Sequence, residues 1–164
     1  MNRLQLKVCS AALLPSVATM LFVQACGGGG AAIAQQSTDP YEGVWEAVVT
    51  AHDCTTSSIL GTFRGAQVVH HGGTLSGTNA SPPGTRGPGF GVWSRNGDGT
   101  YAVKFRFYRY NTDGTLAGTT VVTSTRTLAA DGNSYNGDTR SEVRDTAGVV
   151  LSRTCVADVG SRFS

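Results

Sequence analysis

Three histidines are the residues of this sequence best suited to acid–base or metal chemistry, but their spacing supports neither. His52 precedes Asp53 at the end of a predicted strand. Neighbouring strand residues point to opposite faces, so the two cannot orient each other as a catalytic pair. His70 and His71 diverge for the same reason, whereas a metal site needs at least three convergent ligands. We therefore expect no catalytic residue, no metal and no other cofactor.

Residues 104–110 interleave basic and aromatic side chains, a pattern found in proteins that bind single-stranded nucleic acid. Strand alternation, however, directs most of these rings inward and Lys104 and Arg106 outward, as in an ordinary barrel strand. Arg3 and Lys7 lie in the N-terminal segment, so 11 of the 13 basic residues remain against 11 acidic ones. A neutral domain lacks the positive charge that a phosphate backbone attracts, and we expect no nucleic-acid partner.

Residues 1–25 have the features of a bacterial secretion signal: basic residues precede an apolar run that is too short and too broken for a membrane span. The run ends at Ala25-Cys26, which resembles the lipobox of bacterial lipoproteins. The resemblance implies that Cys26 is lipidated and holds the protein at the outer membrane, facing the periplasm or the cell surface. Cleavage after Ala34, at an A-x-A site, is the alternative and would give a soluble periplasmic protein.

Two of the four cysteines belong to this N-terminal region, which leaves Cys54 and Cys155 in the mature protein. Two cysteines in an oxidising compartment most simply form one disulfide, with a reactive thiol or a metal pair as the alternative. Residues 26–40 are rich in Gly, Ala, Gln and Ser and predict a flexible tether. The folded domain is therefore expected over residues 41–164.

Turn signals rich in Asn, Asp and Gly separate short β-branched and aromatic runs throughout this domain, which predicts hairpins. Alternation with a period of two is clearest in the later runs, where Tyr101, Val103, Phe105 and Phe107 share one face. The predicted strands lie near residues 43–51, 62–70, 74–79, 89–95, 100–110, 115–127, 133–144 and 148–158.

Eight hairpin-linked strands would leave two open edges unless the sheet closes. Cys54 follows the first predicted strand and Cys155 lies in the last, so a disulfide would bring those strands within about 6 Å at Cα. An up-and-down barrel does this naturally, whereas a sandwich would more often need long crossover connections. The sequence thus predicts an all-β, eight-stranded antiparallel up-and-down β-barrel closed by one Cys54–Cys155 disulfide.

The first predicted strand opens with Gly43-Val44-Trp45, which resembles the G-x-W motif of the lipocalin and wider calycin group. The resemblance implies a barrel in which Trp45 packs against an arginine of the last strand at the closed end, and Arg153 is the candidate for that structural role. The block from Gly43 to Cys54 also resembles a group of exported bacterial proteins of unassigned function.

The segment 81–89 contains three prolines and three glycines around Arg86, so its backbone is restricted and exposed. Its functional interpretation is a lid over the barrel mouth, or a pre-ordered loop that offers Arg86 and Pro88 to a partner. The alternative is a linker between two half-barrels.

We expect the barrel to bind a small apolar ligand inside, because its inward residues would form an apolar cavity with few polar groups. A protein-interaction or inhibitor module that uses the 81–89 loop is the second hypothesis. An enzyme with interior Tyr, His or Arg as acid and base is the third and has the least support. The residues expected to contact the ligand are Trp45, Val49, Phe105, Phe107 and Val122.

Overall fold

Alternating inward and outward residues, with tight turns between the runs, form eight antiparallel strands in the computed structural model, which describes residues 39–163. A single turn of 3₁₀ helix, Pro83–Thr85, lies between the third and fourth strands. The strands are β1 Gly43–His52, β2 Ile59–His70, β3 Thr74–Asn79, β4 Gly89–Arg95, β5 Tyr101–Tyr110, β6 Leu116–Leu128, β7 Ser134–Arg144 and β8 Val150–Arg162.

Each strand pairs with the next in the chain, and β8 pairs with β1, so the sheet closes into a barrel. The β1–β8 register runs from Trp45 opposite Arg162 to His52 opposite Cys155. The predicted up-and-down barrel is confirmed. β2 begins three residues earlier than predicted, at Ile59, and contains a bulge opposite the Ala51–His52 step of β1, while β8 continues past its predicted end to Arg162 between β1 and β7.

The predicted disulfide is also confirmed. Cys54 and Cys155 are bonded, with their Cα atoms 5.0 Å apart and 101 residues of sequence separation between them. Cys54 lies just beyond the end of β1, while Cys155 is opposite His52 in the β1–β8 register. The covalent bond therefore fastens the first strand to the last at the seam where the barrel closes.

One end of the barrel, here called the closed end, is filled by aromatic side chains. Tyr41 precedes β1 and enters the interior, where its ring stacks on Tyr101 at a centroid distance of 4.5 Å. Trp45 packs edge-on against Tyr135 at 5.2 Å, and its indole N–H donates to the Tyr41 carbonyl oxygen at 2.8 Å. All four aromatic residues are at most 1 % exposed, so this end has no space for a ligand.

Glycines on the inner face give these large side chains room. A Cβ added at Gly160 would overlap the Tyr135 ring, and one at Gly137 would overlap the Asp158 carboxylate. At Gly91 a Cβ would overlap Phe105. The interior is therefore packed by pairing a large residue on one strand with a glycine on its neighbour, which maintains close packing without widening the barrel.

The signal segment 1–25, the lipidation site Cys26, the cleavage site Ala34 and nearly all of the 26–40 tether lie outside the described residues. Within residues 39–163, no helix has the length and apolar character needed to cross a membrane.

Candidate ligand-binding cavity

The other end of the barrel, here called the mouth, is bordered by the loops 53–58, 80–88, 111–115 and 145–149. A cavity of about 210 Å³ lies inside this half of the barrel. Alanine and glycine occupy several inward positions, among them Ala47, Ala51, Gly65 and Gly77, and their small size leaves the space. Its apolar wall is formed by Val49, Phe63, Phe105, Phe107, Val122 and Val156.

The structure brings together most of the residues predicted to contact a ligand. Val49, Phe105, Phe107 and Val122 all line the cavity, as alternation along their strands predicted. Trp45 does not line it, because that side chain is fully buried in the aromatic cluster at the closed end. The interior is thus divided into a packed half and a hollow half, and strand alternation by itself does not distinguish the two.

A buried ion pair forms the floor of the cavity. Arg126 on β6 and Asp158 on β8 approach to 2.8 Å, and their side chains are only 4 % and 3 % exposed. The Arg126 guanidinium also donates to the Tyr41 hydroxyl and to Gln67 Oε1, both at 2.6 Å. The Thr139 hydroxyl donates to the second oxygen of Asp158 at 2.6 Å. The floor is therefore polar but balanced in charge.

The ion pair keeps Arg126 charged, and burial keeps its tyrosine neighbours neutral. Burial opposes the guanidinium charge, but the Asp158 carboxylate and the hydrogen bond to the Tyr41 hydroxyl raise the pKa of Arg126 above its ordinary value. Burial raises the pKa of Tyr41 and of Tyr135, because a phenolate would be poorly solvated there. Within residues 39–163, Arg126 Nε and the Tyr135 hydroxyl are buried without a hydrogen-bond partner.

Sequence reasoning missed Arg126 and Asp158, although a signal for both existed. Arg126 lies four residues from Val122, so it shares the inward face of the same strand. Asp158 has the same relation to the inward Thr154 on β8. Every second residue of a strand faces inward, so continuing the inward series from Val122 and from Thr154 leads to Arg126 and Asp158.

Arg86 lies at the mouth and is folded back toward the barrel. Its guanidinium carbon is 3.9 Å from the centroid of the Phe107 ring, and the side chain lines the cavity. A backbone bridge joins Arg86 to Arg109, and the amide of Gly87 donates to the Tyr108 carbonyl oxygen at 2.9 Å. The loop thus holds Arg86 over the cavity wall and does not project it away from the barrel.

The environment of Arg86 is unfavourable for its charge. The side chain is half-buried, and desolvation lowers the pKa of its guanidinium. Among the described residues, its one hydrogen bond to a side chain, from Nη1 to Thr78 Oγ1, is 3.5 Å long and therefore weak. Pro88, the other residue predicted to contact a partner, is exposed on the same loop.

The arginine that covers Trp45 is Arg162, and the prediction of Arg153 is wrong. The Arg162 guanidinium carbon lies 4.3 Å from the Trp45 ring centroid, and Nη1 donates to the Glu42 carbonyl oxygen at 2.6 Å. Arg153 is 68 % exposed and forms an ion pair with Glu142 at 3.0 Å. The reason is register: β8 runs past its predicted end, so Arg162 reaches the closed end while Arg153 lies near the mouth.

His70 and His71 make separate contacts. His70 forms a hydrogen bond with Ser76 at 3.1 Å, and His71 contacts Glu42 at 3.0 Å. Among residues 39–163, no three His, Cys, Asp or Glu side chains converge in a way that could hold a metal ion.

Comparison of the chain with protein-family models and with curated proteins finds no match. Eight antiparallel strands that pair in chain order and close through β1 and β8 are consistent with a lipocalin-like fold.

Proposed function

We propose that this protein binds a small, mainly apolar molecule inside its barrel. The observation that carries the proposal is the cavity of about 210 Å³, walled by valine and phenylalanine, in a barrel whose other half is fully packed. Small eight-stranded barrels can be filled entirely by their own side chains, so space at the mouth is a property of this particular sequence.

The size of the cavity limits the ligand. Pockets for drug-sized molecules span roughly 300–1,000 Å³, so this cavity fits something smaller. The apolar wall would remove most of the surface of such a molecule from water, which is the main source of affinity in sites of this kind. The ion-paired floor gives the ligand a polar surface to rest against without presenting a net charge.

Export and membrane attachment are part of the proposal. The disulfide supports an oxidising compartment, because such bonds are rare where thiols are kept reduced. The Gly43-Val44-Trp45 opening, together with the packing of Arg162 on Trp45, supports a place in the lipocalin-like group. Lipidation of Cys26 would hold the protein at the outer membrane.

Native mass spectrometry of the protein purified from its own host tests the binding proposal. We expect a co-purified small molecule, which denaturation releases. A second measurement uses N-phenylnaphthylamine, an uncharged dye whose fluorescence rises in apolar surroundings. Val122→Phe fills the cavity and should weaken dye binding, whereas the same change at Val92, which is 57 % exposed, should not. Equal dye binding by both variants would place the dye outside the barrel and contradict the proposal.

Membrane attachment is tested by Cys26→Ala, with Cys9→Ala as the matched control within the N-terminal region. We expect Cys26→Ala alone to release the protein from the membrane fraction. Unchanged fractionation would contradict a lipid anchor at this position.

A further inference from the structure

The acidic residues within the strands are confined to one side of the barrel. They are Glu46, Asp138, Glu142 and Asp158, and they belong to β1, β7 and β8. The five consecutive strands from β2 to β6 contain neither Asp nor Glu. Because the strands pair in chain order round a closed barrel, β4 and β5 lie opposite β8 and β1. The side centred on β4 therefore carries no strand carboxylate.

Exposed apolar and basic side chains are neighbours on that side. Its outward residues Phe90 and Val92 of β4 and Lys104, Arg106 and Tyr108 of β5 are here called the β4–β5 face. Phe90 lies directly opposite Arg106, and Val92 lies directly opposite Lys104, so each apolar side chain is next to a cation. Phe90 is 62 % exposed and Val92 is 57 % exposed. Clustered apolar side chains of this kind, surrounded by polar residues, are typical of interaction surfaces.

The two cations of this face have no carboxylate partner in the part of the chain that the structure describes. Among residues 39–163, neither Lys104 nor Arg106 takes part in an ion pair. On the other side of the barrel, by contrast, Arg144 and Arg153 both pair with Glu142, at 2.6 and 3.0 Å. The positive charge of the β4–β5 face is therefore available to an anionic partner.

The chain enters the barrel beside the same two strands. The Asp39 carboxylate accepts a hydrogen bond from the hydroxyl of Tyr101, the first residue of β5, at 2.8 Å. Its other oxygen lies 3.9 Å from Nη1 of Arg95, the last residue of β4. The segment that precedes residue 39 is thus joined to the barrel on the β4–β5 side. A lipid anchor at Cys26, as proposed above, would be attached on this side.

We propose that the β4–β5 face rests on an anionic phospholipid membrane. Phe90 and Val92 would enter the headgroup region, while Lys104 and Arg106 would contact lipid phosphates. Apolar side chains combined with Lys and Arg are the composition that lies at membrane interfaces, and tyrosine, here Tyr108, is enriched there. The inference goes beyond the proposed binding function and does not depend on what the cavity holds.

The opposite side of the barrel is a poorer surface for such a membrane, although it also exposes apolar residues. Val48 and Val159 are exposed and lie directly opposite each other on β1 and β8. Glu46 lies on the same outer surface, two residues from Val48, and its carboxylate would be repelled by anionic lipids. No strand residue on the β4–β5 side has a charge of that sign.

Single-stranded nucleic acid is the alternative anionic partner, because its binding sites also combine cations with aromatic rings. Such sites hold successive bases by stacking each base on a ring. Val92, the neighbour of Lys104, has no ring, whereas a membrane interface accepts aliphatic and aromatic side chains alike. The β4–β5 face therefore fits a membrane better, and oligonucleotide binding is one outcome of the test.

Fluorescence quenching identifies the side of the barrel that touches the bilayer. Phe90→Trp places a reporter on the β4–β5 face, and Val159→Trp, at a position that is also exposed, places one on the opposite side. Each full-length variant is mixed with vesicles of phosphatidylcholine and phosphatidylglycerol in equal amounts, with or without bromine on the acyl chains. Bromine quenches a tryptophan that enters the bilayer. We expect stronger quenching for Phe90→Trp than for the wild type, and no increase for Val159→Trp.

Binding measurements test the cations, in the full-length chain that carries Cys26→Ala so that no lipid anchor contributes. Flotation with the same vesicles measures the affinity. Lys104→Gln and Arg106→Gln should each weaken binding about fivefold, which is the contribution of one basic residue near an anionic membrane surface. The matched control is Arg140→Gln, at an exposed position of β7, which should leave binding unchanged. Vesicles of phosphatidylcholine alone should bind the parent chain more weakly, because they carry no net charge.

Three results would overturn the inference. They are equal quenching of Phe90→Trp and Val159→Trp, vesicle binding that neither Lys104→Gln nor Arg106→Gln weakens, and binding of single-stranded DNA that these two changes abolish while vesicle binding persists. In the absence of vesicles, every variant should bind N-phenylnaphthylamine as the wild type does, which shows that it is folded and that its cavity is intact. A failure of the membrane surface is thereby distinguished from a failure of the proposed function.

Discussion

The guanidinium of Arg126 and the carboxylate of Asp158 meet at 2.8 Å across the barrel interior, joining two strands that are not neighbours in the sheet. Because both side chains are removed from water, each charge depends on the other for compensation. The pair also connects the packed half of the barrel to the hollow half through Tyr41, which reaches it from the closed end.

Asp158→Asn should therefore be strongly destabilising. It leaves the Arg126 cation buried without its counter-charge, and breaking a buried ion pair in this way costs about 3–5 kcal/mol in free energy of unfolding. Urea denaturation measures the loss. The control is Asp138→Asn, an exposed position on β7 where surface substitutions change stability by about 0.5 kcal/mol or less. Similar losses in both variants would mean that the ion pair is not buried in solution.

The packing of Arg162 on Trp45 predicts that replacing this arginine lowers stability more than replacing Arg153 on the same strand. Arg162→Ala removes a cation–π contact and charge-assisted hydrogen bonds to the backbone before β1, so it should cost about 2 kcal/mol or more. Arg153→Ala removes only an exposed ion pair and should cost less than about 1 kcal/mol. Urea denaturation followed by tryptophan fluorescence compares them, and a larger loss for Arg153→Ala would contradict the register of β8.

Removal of the disulfide should lower stability without changing the fold. The loop that it closes spans 101 residues, for which the chain-entropy model gives about 4–5 kcal/mol as an upper figure. We expect the variant Cys54→Ala with Cys155→Ala to unfold at lower urea concentration. Reduction of the wild type should shift it to the same midpoint and should leave the variant unchanged. A wild-type midpoint that does not respond to reduction would contradict the bond.

Alkaline pH should destabilise the closed end. Burial and the Asp39 carboxylate raise the pKa of Tyr101 to about 12, and burial raises the pKa of Tyr41 and Tyr135 as well. In the unfolded chain these phenols titrate near pH 10, so the unfolded state loses its protons first. The stabilisation is fully present below about pH 10 and is lost as the pH rises toward the folded-state values.

Titration of phenolate absorbance checks this expectation. Three of the five tyrosines should ionise above pH 10 in the folded protein, whereas in urea they should ionise near pH 10. Asp39→Asn removes the carboxylate that accepts from the Tyr101 hydroxyl at 2.8 Å and should bring that residue's pKa down. A folded-state titration identical to the one in urea would show that these rings are accessible to solvent.

A glycine that faces a large side chain should not tolerate a methyl group. In Gly160→Ala the new Cβ would overlap the Tyr135 ring, and overpacking of this kind costs about 1–3 kcal/mol. Gly61→Ala on β2 is the control, because nothing lies within 4 Å of the position that its Cβ would occupy. Thermal unfolding of the two variants should differ clearly, and equal midpoints would contradict the close approach of β8 to Tyr135.

The sequence was sufficient for the strands, the closure and most of the cavity wall, because these depend on alternation and on covalent chemistry. Phe105 and Phe107 could be assigned inward from their spacing alone. The expected disulfide between Cys54 and Cys155 then placed the first and last strands side by side. The first inference needs only the few neighbouring residues of a strand, and the second needs only one pair of cysteines.

The remaining features depend on where strands end and how loops fold, which carry no periodic signal. The assignment of Arg153 failed because β8 continues past its predicted end, so the arginine opposite Trp45 is Arg162. The position of Arg86 depends on a backbone bridge to Arg109 that no local pattern announces. Trp45 was predicted to line the cavity because alternation gives the face of a residue but not its depth along the barrel axis.

The seam at the closed end has a consequence for the topology of the molecule. The amide of Phe163 donates to the Val44 carbonyl oxygen at 3.1 Å, and Arg162 donates to the backbone oxygens of Pro40 and Glu42. The two extremities of the barrel domain are thus adjacent, and its strand order is cyclic. A short peptide joining them, with the chain opened instead at the exposed turn 96–99, would preserve every pairing in the sheet.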